Sequence, residues 1–213
     1  MSSNLTYWRD ELRAIAASNG EDDGAHDIAH LDRVWNLAQS IQSVHQEADL
    51  MVILAACYLH DIVNLPKNHP DRARASTLAA ELACIKLKAV GFPEEKLAGV
   101  SQAIAAHSYS AGIVPSTIEA KIVQDADRLD ALGAIGLARL FYTAGRMGSA
   151  LAHPADPLAK NRSLDDKQFA LDHIEVKLAK LPATMQTEQG RHIALTRLAS
   201  LQEFREQFAA EWC

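Results

Sequence analysis

Residues 47–61 read EADLMVILAACYLHD, and the run from Leu50 to Leu59 holds no charged residue. A surface helix carries a single apolar stripe, whereas a segment apolar around its whole circumference belongs in the middle of a bundle. Ten residues fall well short of the roughly 18–20 that span a bilayer. The run therefore reads as a central, buried helix of an all-α protein. It then meets His60 and Asp61, two ionisable groups at the end of the most buried element. Burying such groups without partners is costly, so their partners have to come from elsewhere in the chain.

Outward from this segment the periodicity stays helical. Helices are predicted over 5–17, 26–44, 47–62, 72–90, 94–107, 116–127, 129–142, 166–181 and 185–212. In the last, Ala194, Leu198, Leu201, Phe204, Phe208 and Trp212 recur at steps of three and four and make one apolar stripe. Leu171, Ile174, Leu178 and Leu181 do the same in 166–181, with Ser163 and Asp166 as a capping box before it and Pro182 as its stop. No segment alternates apolar and polar β-branched residues, so sheet is not expected. The stretch 64–71 contains Pro66 and Pro70, and 143–164 contains Gly145, Gly148, Pro154 and Pro157. The second is long for a structureless connection, which makes it a candidate lid. One domain is expected over 1–213, with a core at about 20–142 and C-terminal helices at about 165–212 packed on it.

Composition narrows the function. The 213 residues carry 27 acidic and 21 basic side chains, a formal charge of −6, which argues against coating a nucleic-acid polymer. Three scattered cysteines, Cys57, Cys84 and Cys213, offer neither a disulfide framework nor a zinc finger. The opening stretch MSSNLTYWRDELRAIAAS lacks a basic region followed by an apolar core, so a cytoplasmic location and no membrane partner are expected. Nine histidines are the unusual feature.

Four places carry residues capable of chemistry: HDIAHLDRV from His26, YLHD from Tyr58, AAHS from Ala105, and QDADRLDALG from Gln124. Imidazole and carboxylate without thiolate suit a mixed N/O shell around a divalent metal with an open position, the catalytic type of site. From the residues themselves, His26 and His30 compete for the first ligand because they share a helix face, and Asp125 competes with Asp127 for the last. Lys67, His69 and Arg72, directly after His60-Asp61, are candidates for holding phosphate. His107 and Asp130 are candidates for protonating a leaving oxygen or supporting the site.

The ordered set His30-x-x-Arg33-Val34, His60-Asp61 and Ala126-Asp127-Arg128-Leu129 resembles the HD superfamily of metal-dependent phosphohydrolases. HDIAHLDRVWNLA, YLHDIVNLPKNHPDRARAS, AIAAHSYSAG and QDADRLDALGAIGLAR look like its bacterial YpgQ/YedJ-type group. The resemblance covers about residues 20–212 and implies an all-helical HD fold. It assigns the metal ligands to His30, His60, Asp61 and Asp127, with Asp61 also orienting the attacking water. It implies one divalent metal, manganese first, with nickel, iron, cobalt, magnesium or zinc able to occupy the same shell. The implied reaction is attack of a metal-activated water on a nucleotide or other small phosphate ester, including nucleoside triphosphate pyrophosphohydrolysis. The alternatives are a phosphodiesterase or nucleotidase and, in another class, a metal- or nucleotide-binding regulator without turnover. Association into a homo-oligomer is left open.

Overall fold

The structure, a computed structural model, describes residues 3–19, 27–63, 65, 69, 71–108 and 111–212. The chain forms two compact units, Met1–Asp127 and Arg128–Cys213. Nine α-helices are found among the described residues: α1 Ser3–Asn19, α2 Ile28–Gln42, α3 Leu50–Leu59, α4 Ala75–Ala89, α5 Leu97–His107, α6 Ile118–Leu129, α7 Gly133–Arg146, α8 His173–Val176 and α9 Glu188–Trp212. No strand occurs among them, and the only pairing of that kind is an isolated bridge between Ala150 and Phe169. The all-α expectation holds.

In the first unit α3 is the hub and packs against α1, α2, α4 and α5. Every residue from Val52 to Leu59 is buried, as a run without a polar face requires. Its start is set by Asp49, whose carboxylate accepts from the Met51 and Val52 N–H groups and pairs with Lys96. Gly99 lets α5 approach α3 closely, since a Cβ there would lie 3.2 Å from a Val52 methyl. The helix predicted over 26–44 begins later, because Asp27 is its N-cap and accepts from the His30 N–H at 2.9 Å. At the end of α4 the chain turns back through Gly91 at φ +74°, with the Phe92 N–H donating to the Leu87 carbonyl at 3.0 Å. This is a Schellman stop, which needs the left-handed conformation that glycine adopts without strain.

The second unit corrects one expectation. Residues 166–181 are not one helix: a 3-10 turn over Ala170–Asp172, the single turn α8 and a second 3-10 segment over Leu178–Thr184 replace it. The Asp165 carboxylate accepts from the Lys167 and Gln168 N–H groups, and Ala150 pairs with the extended backbone at Phe169, so the capping box at Ser163 and Asp166 does not form. Pro182 lies inside the second 3-10 segment. Leu171, Ile174, Leu178 and Leu181 are nonetheless all buried: Leu178 and Leu181, three apart, share a side of the second 3-10 segment, and the step of four from Ile174 falls at its junction with α8.

The long connection is shorter than 143–164 at its start, since α7 runs to Arg146. Its remainder is tied down. Asp156 accepts from the Lys160 and Asn161 N–H groups, Arg205 donates to the Leu158 carbonyl, and the Trp212 indole donates to the Pro154 carbonyl. Arg162 forms a two-armed ion pair with buried Asp172 at 2.6 and 2.7 Å and lies over the Phe169 ring. These bonds describe a pinned loop rather than a loose flap. No described helix is long and apolar enough to cross a membrane.

Candidate metal centre

Four helix ends converge. His30 lies in the first turn of α2, His60 caps the C-terminus of α3 with Asp61 following it, His107 is the last residue of α5, and Asp127 lies on α6. His30 Nε2 lies 3.3 Å from His60 Nε2 and 3.5 Å from Asp127 Oδ1. Asp61 Oδ2 is 3.9 Å from His30 Nε2 and 3.6 Å from His60 Nε2, and Asp127 Oδ1 is 3.6 Å from His60 Nε2. His107 Nε2 joins through Asp61 Oδ1 at 3.6 Å. The imidazoles are buried, His30 and His60 to 1% exposure, while the Asp61 and Asp127 side chains remain 25% and 27% exposed. The carboxylates are thus the solvent-facing side of the cluster.

Helix ends explain how the rings are held. The last carbonyls of a helix have no partner within it. His60 Nδ1 donates to the Cys57 carbonyl at 2.9 Å, and His107 Nδ1 donates to the Ile104 carbonyl at 2.6 Å. Each bond puts the proton on Nδ1 and leaves Nε2 as the inward-facing atom, the arrangement that orients ligating histidines.

The electrostatics favour a cation. Burial by itself would lower the pKa of His60, but Asp61 and Asp127 outweigh it and raise it from 6.5 to about 9. Burial likewise pushes Asp127 up, and His60, His107 and His30 together hold it well below the ordinary carboxylate range. Two Nε2 atoms 3.3 Å apart can share one proton or one metal ion, but not two facing lone pairs. Two groups of side chains have ligand atoms within 4.8 Å of one another: His30, His60 and Asp61, and His60, His107 and Asp127. Nitrogen and carboxylate oxygen in this proportion fit a first-row divalent ion.

The other sequence candidates fall as follows. Asp125 is fully buried and belongs to neither group, whereas Asp127, two positions on, belongs to one. His26 and Lys67 lie outside the described residues. His69 Nδ1 accepts from the Asp71 N–H at 3.1 Å, and the Arg72 guanidinium donates to the Leu65 carbonyl. Asp130 lies in the second unit, buried, and both its carboxylate and its carbonyl accept from Arg139. Asp27 was missed as a contributor. An Asp directly before an apolar helical period is the signal that identifies an N-cap, and here that cap fixes the turn bearing His30.

Two buried histidines and two part-exposed aspartates gathered at the helix ends of an all-helical chain match the layout that the resemblance to the HD metal-dependent phosphohydrolases implies. The HD domain profile matches residues 27–132, and the chain belongs to the HD-domain family. It is similar to the uncharacterized Bacillus subtilis (strain 168) protein YpgQ, 32% identical over 191 residues that span 88% of this chain and 84% of YpgQ. The crystal structure of Bacillus subtilis YpgQ in complex with ADP superposes with a TM-score of 0.75 at 31% identity, covering 97% of this chain and 96% of that one. An HD-superfamily hydrolase from Bacillus thuringiensis superposes with a TM-score of 0.74 at 29% identity, covering 98% of each chain.

Proposed function

We propose that this HD hydrolase holds one divalent ion, manganese in the first instance, on His30, His60, Asp61 and Asp127 and hydrolyses a nucleotide. The observation that carries the proposal is the convergence of those four side chains, with nitrogen and oxygen atoms 3.3–3.9 Å apart around buried His60. A divalent ion held by these residues would polarise a phosphoryl oxygen and make water a usable nucleophile near neutral pH.

The chain's own residues do the rest. Asp61 has its two oxygens divided between His30 and His60 on one side and His107 on the other, which suits it to orient the attacking water as well as to ligate. His107, with Nδ1 committed to the Ile104 carbonyl, presents Nε2 and, when protonated there, can donate to the leaving oxygen. Asp130 is given no role in this proposal, since its carboxylate and carbonyl accept from Arg139 within the second unit. Lys67, His69 and Arg72 follow Asp61 closely in the chain and are proposed to meet the negative charge of the phosphates.

The ADP complex of YpgQ supports a nucleotide as the substrate class, and a nucleoside triphosphate cleaved to a monophosphate and pyrophosphate is the form proposed. The test is a turnover screen of the manganese-loaded protein. Nucleoside and deoxynucleoside triphosphates, monophosphates, cyclic nucleotides and an aryl phosphate are offered, with Asp61→Ala as control. Pyrophosphate release lost in the control is the expected result. Inorganic phosphate or a ring-opened product would move the assignment to a nucleotidase or phosphodiesterase, and no turnover with any plausible metal would overturn it.

A further inference from the structure

Gln124 has no part in the activity described above, yet it is buried to 2% exposure on α6, three positions before Asp127. Its Nε2 donates to the Ala106 carbonyl at 2.6 Å, while its Oε1 finds no hydrogen-bond partner. A buried amide with only part of its capacity satisfied is destabilising compared with an apolar side chain of the same shape. The bond it does make is therefore the feature to explain. The opposite amide orientation would set oxygen against the carbonyl oxygen, so the donor direction follows from the geometry.

That bond lands one residue from His107. Of the last carbonyls of α5, Ile104 accepts from the His107 ring and Ala106 accepts from Gln124. After His107 the chain leaves helical geometry, with Ser108 extended at ψ 128°. The turn bearing His107 would otherwise be a fraying helix end. Residues i and i+3 share a helix face, so one face of α6 carries both Asp127 and the group that ties down His107. His107 Nε2 in turn lies 3.6 Å from Asp61, and His107 shares a ligand group with His60 and Asp127.

We infer that Gln124 is a positioning residue: its amide clamps the end of α5 and so fixes the His107 imidazole against Asp61 and Asp127. The kinetic part of this inference rests on the proposed hydrolysis, but the placement of the ring does not.

The test compares Gln124→Met, which keeps length and bulk without a donor, with the shorter amide Gln124→Asn. In metal-free protein labelled with nitrogen-15 histidine, the His107 ring signals are assigned with His107→Gln. They are expected to shift in both Gln124 variants, while those of His45, half-buried and paired with Glu47, stay in place. With manganese and the substrate identified by the screen, kcat is expected to fall about 10–100-fold in Gln124→Met while KM changes less than about twofold. Combining Gln124→Met with His107→Gln should give the rate of His107→Gln alone, because both remove the same placed ring. Unmoved His107 signals in both variants, or rate losses that multiply in the double variant, would overturn the inference. If Gln124→Met does not fold, Gln124→Asn carries both measurements. If no substrate turns over, the hydrolysis proposal fails separately and the ring signals decide this one.

Discussion

Metal binding should raise the melting temperature, by an amount that follows from where the ligands sit. His30, His60 and Asp127 come from three helices, separated by 30 and 67 positions in the chain. An unfolded chain does not hold them together, so the ion binds the folded state almost exclusively and its binding free energy adds to stability. At a free manganese concentration of about 100 times Kd the gain is about 2.7 kcal/mol. For a chain of this size roughly 2–4 °C accompany each kcal/mol. The expected shift is therefore about 5–11 °C, nearer the upper figure if the Met1–Asp127 unit melts by itself. The assay is a thermal melt followed by circular dichroism, with and without manganese. It is run on the parent protein, His30→Gln, His60→Gln, Asp127→Asn and the control Asp125→Asn. Losing one of four ligands should cut the shift to about 1 °C or less at the same manganese concentration, whatever the variant does to the metal-free melt. Asp125→Asn should keep the full shift. A full shift in the three ligand variants, or its loss in Asp125→Asn alone, would refute the ligand assignment.

Three further outcomes are expected. Asp49→Ala should cost about 1 kcal/mol by uncapping α3, measured by urea denaturation. Burial raises the Asp49 pKa but Lys96 and the N–H groups of Met51 and Val52 bring it below the ordinary 3.8, so its contribution is present above that value and lost as pH falls through the lowered one. The gap between parent and variant should accordingly close in acid, and a gap independent of pH would contradict the cap. Arg162→Ala strands Asp172, 1% exposed, without its two-armed partner and should cost about 3–5 kcal/mol. Limited proteolysis within 147–168 should speed up, and unchanged cleavage would show that the loop is held by other means. Leu54→Ala, in the fully buried middle of α3, should cost about 2–5 kcal/mol by calorimetry. A loss below about 1 kcal/mol would mean that α3 is not the hub.

Much of this protein was legible in local pattern. The run Leu50–Leu59 has no polar face, and it is the buried hub. The steps in 171–181 named the right buried residues but the wrong backbone, because a step of three fits a 3-10 turn as well as an α-helix and the step of four, Ile174 to Leu178, falls at the break between α8 and the second 3-10 segment. What diverted the chain there was the pairing of Phe169 with Ala150 and the Asp165 turn, contacts that helical periodicity does not encode. Asp27 was readable as a cap, but its consequence for His30 emerges only when α2 is placed beside α3.

The sequence by itself determined the helical class, the central helix and the residue types of a mixed nitrogen and oxygen site, because these depend on neighbours within a turn or two. Residue types alone left Asp125 and Asp127 in competition, and the resemblance carried by Asp127-Arg128-Leu129 favoured Asp127; carboxylates two positions apart on a helix point in different directions, so packing is what separates them physically. Tertiary structure buried Asp125 outside both ligand groups and set Asp127 3.5–3.6 Å from the imidazoles of His30 and His60. It also decided which ring nitrogen of His60 and His107 faces the cluster, through carbonyls left over at the ends of α3 and α5. Convergence of this kind is set by the crossing of helices whose ligands lie 30 or more positions apart, and no local pattern specifies it.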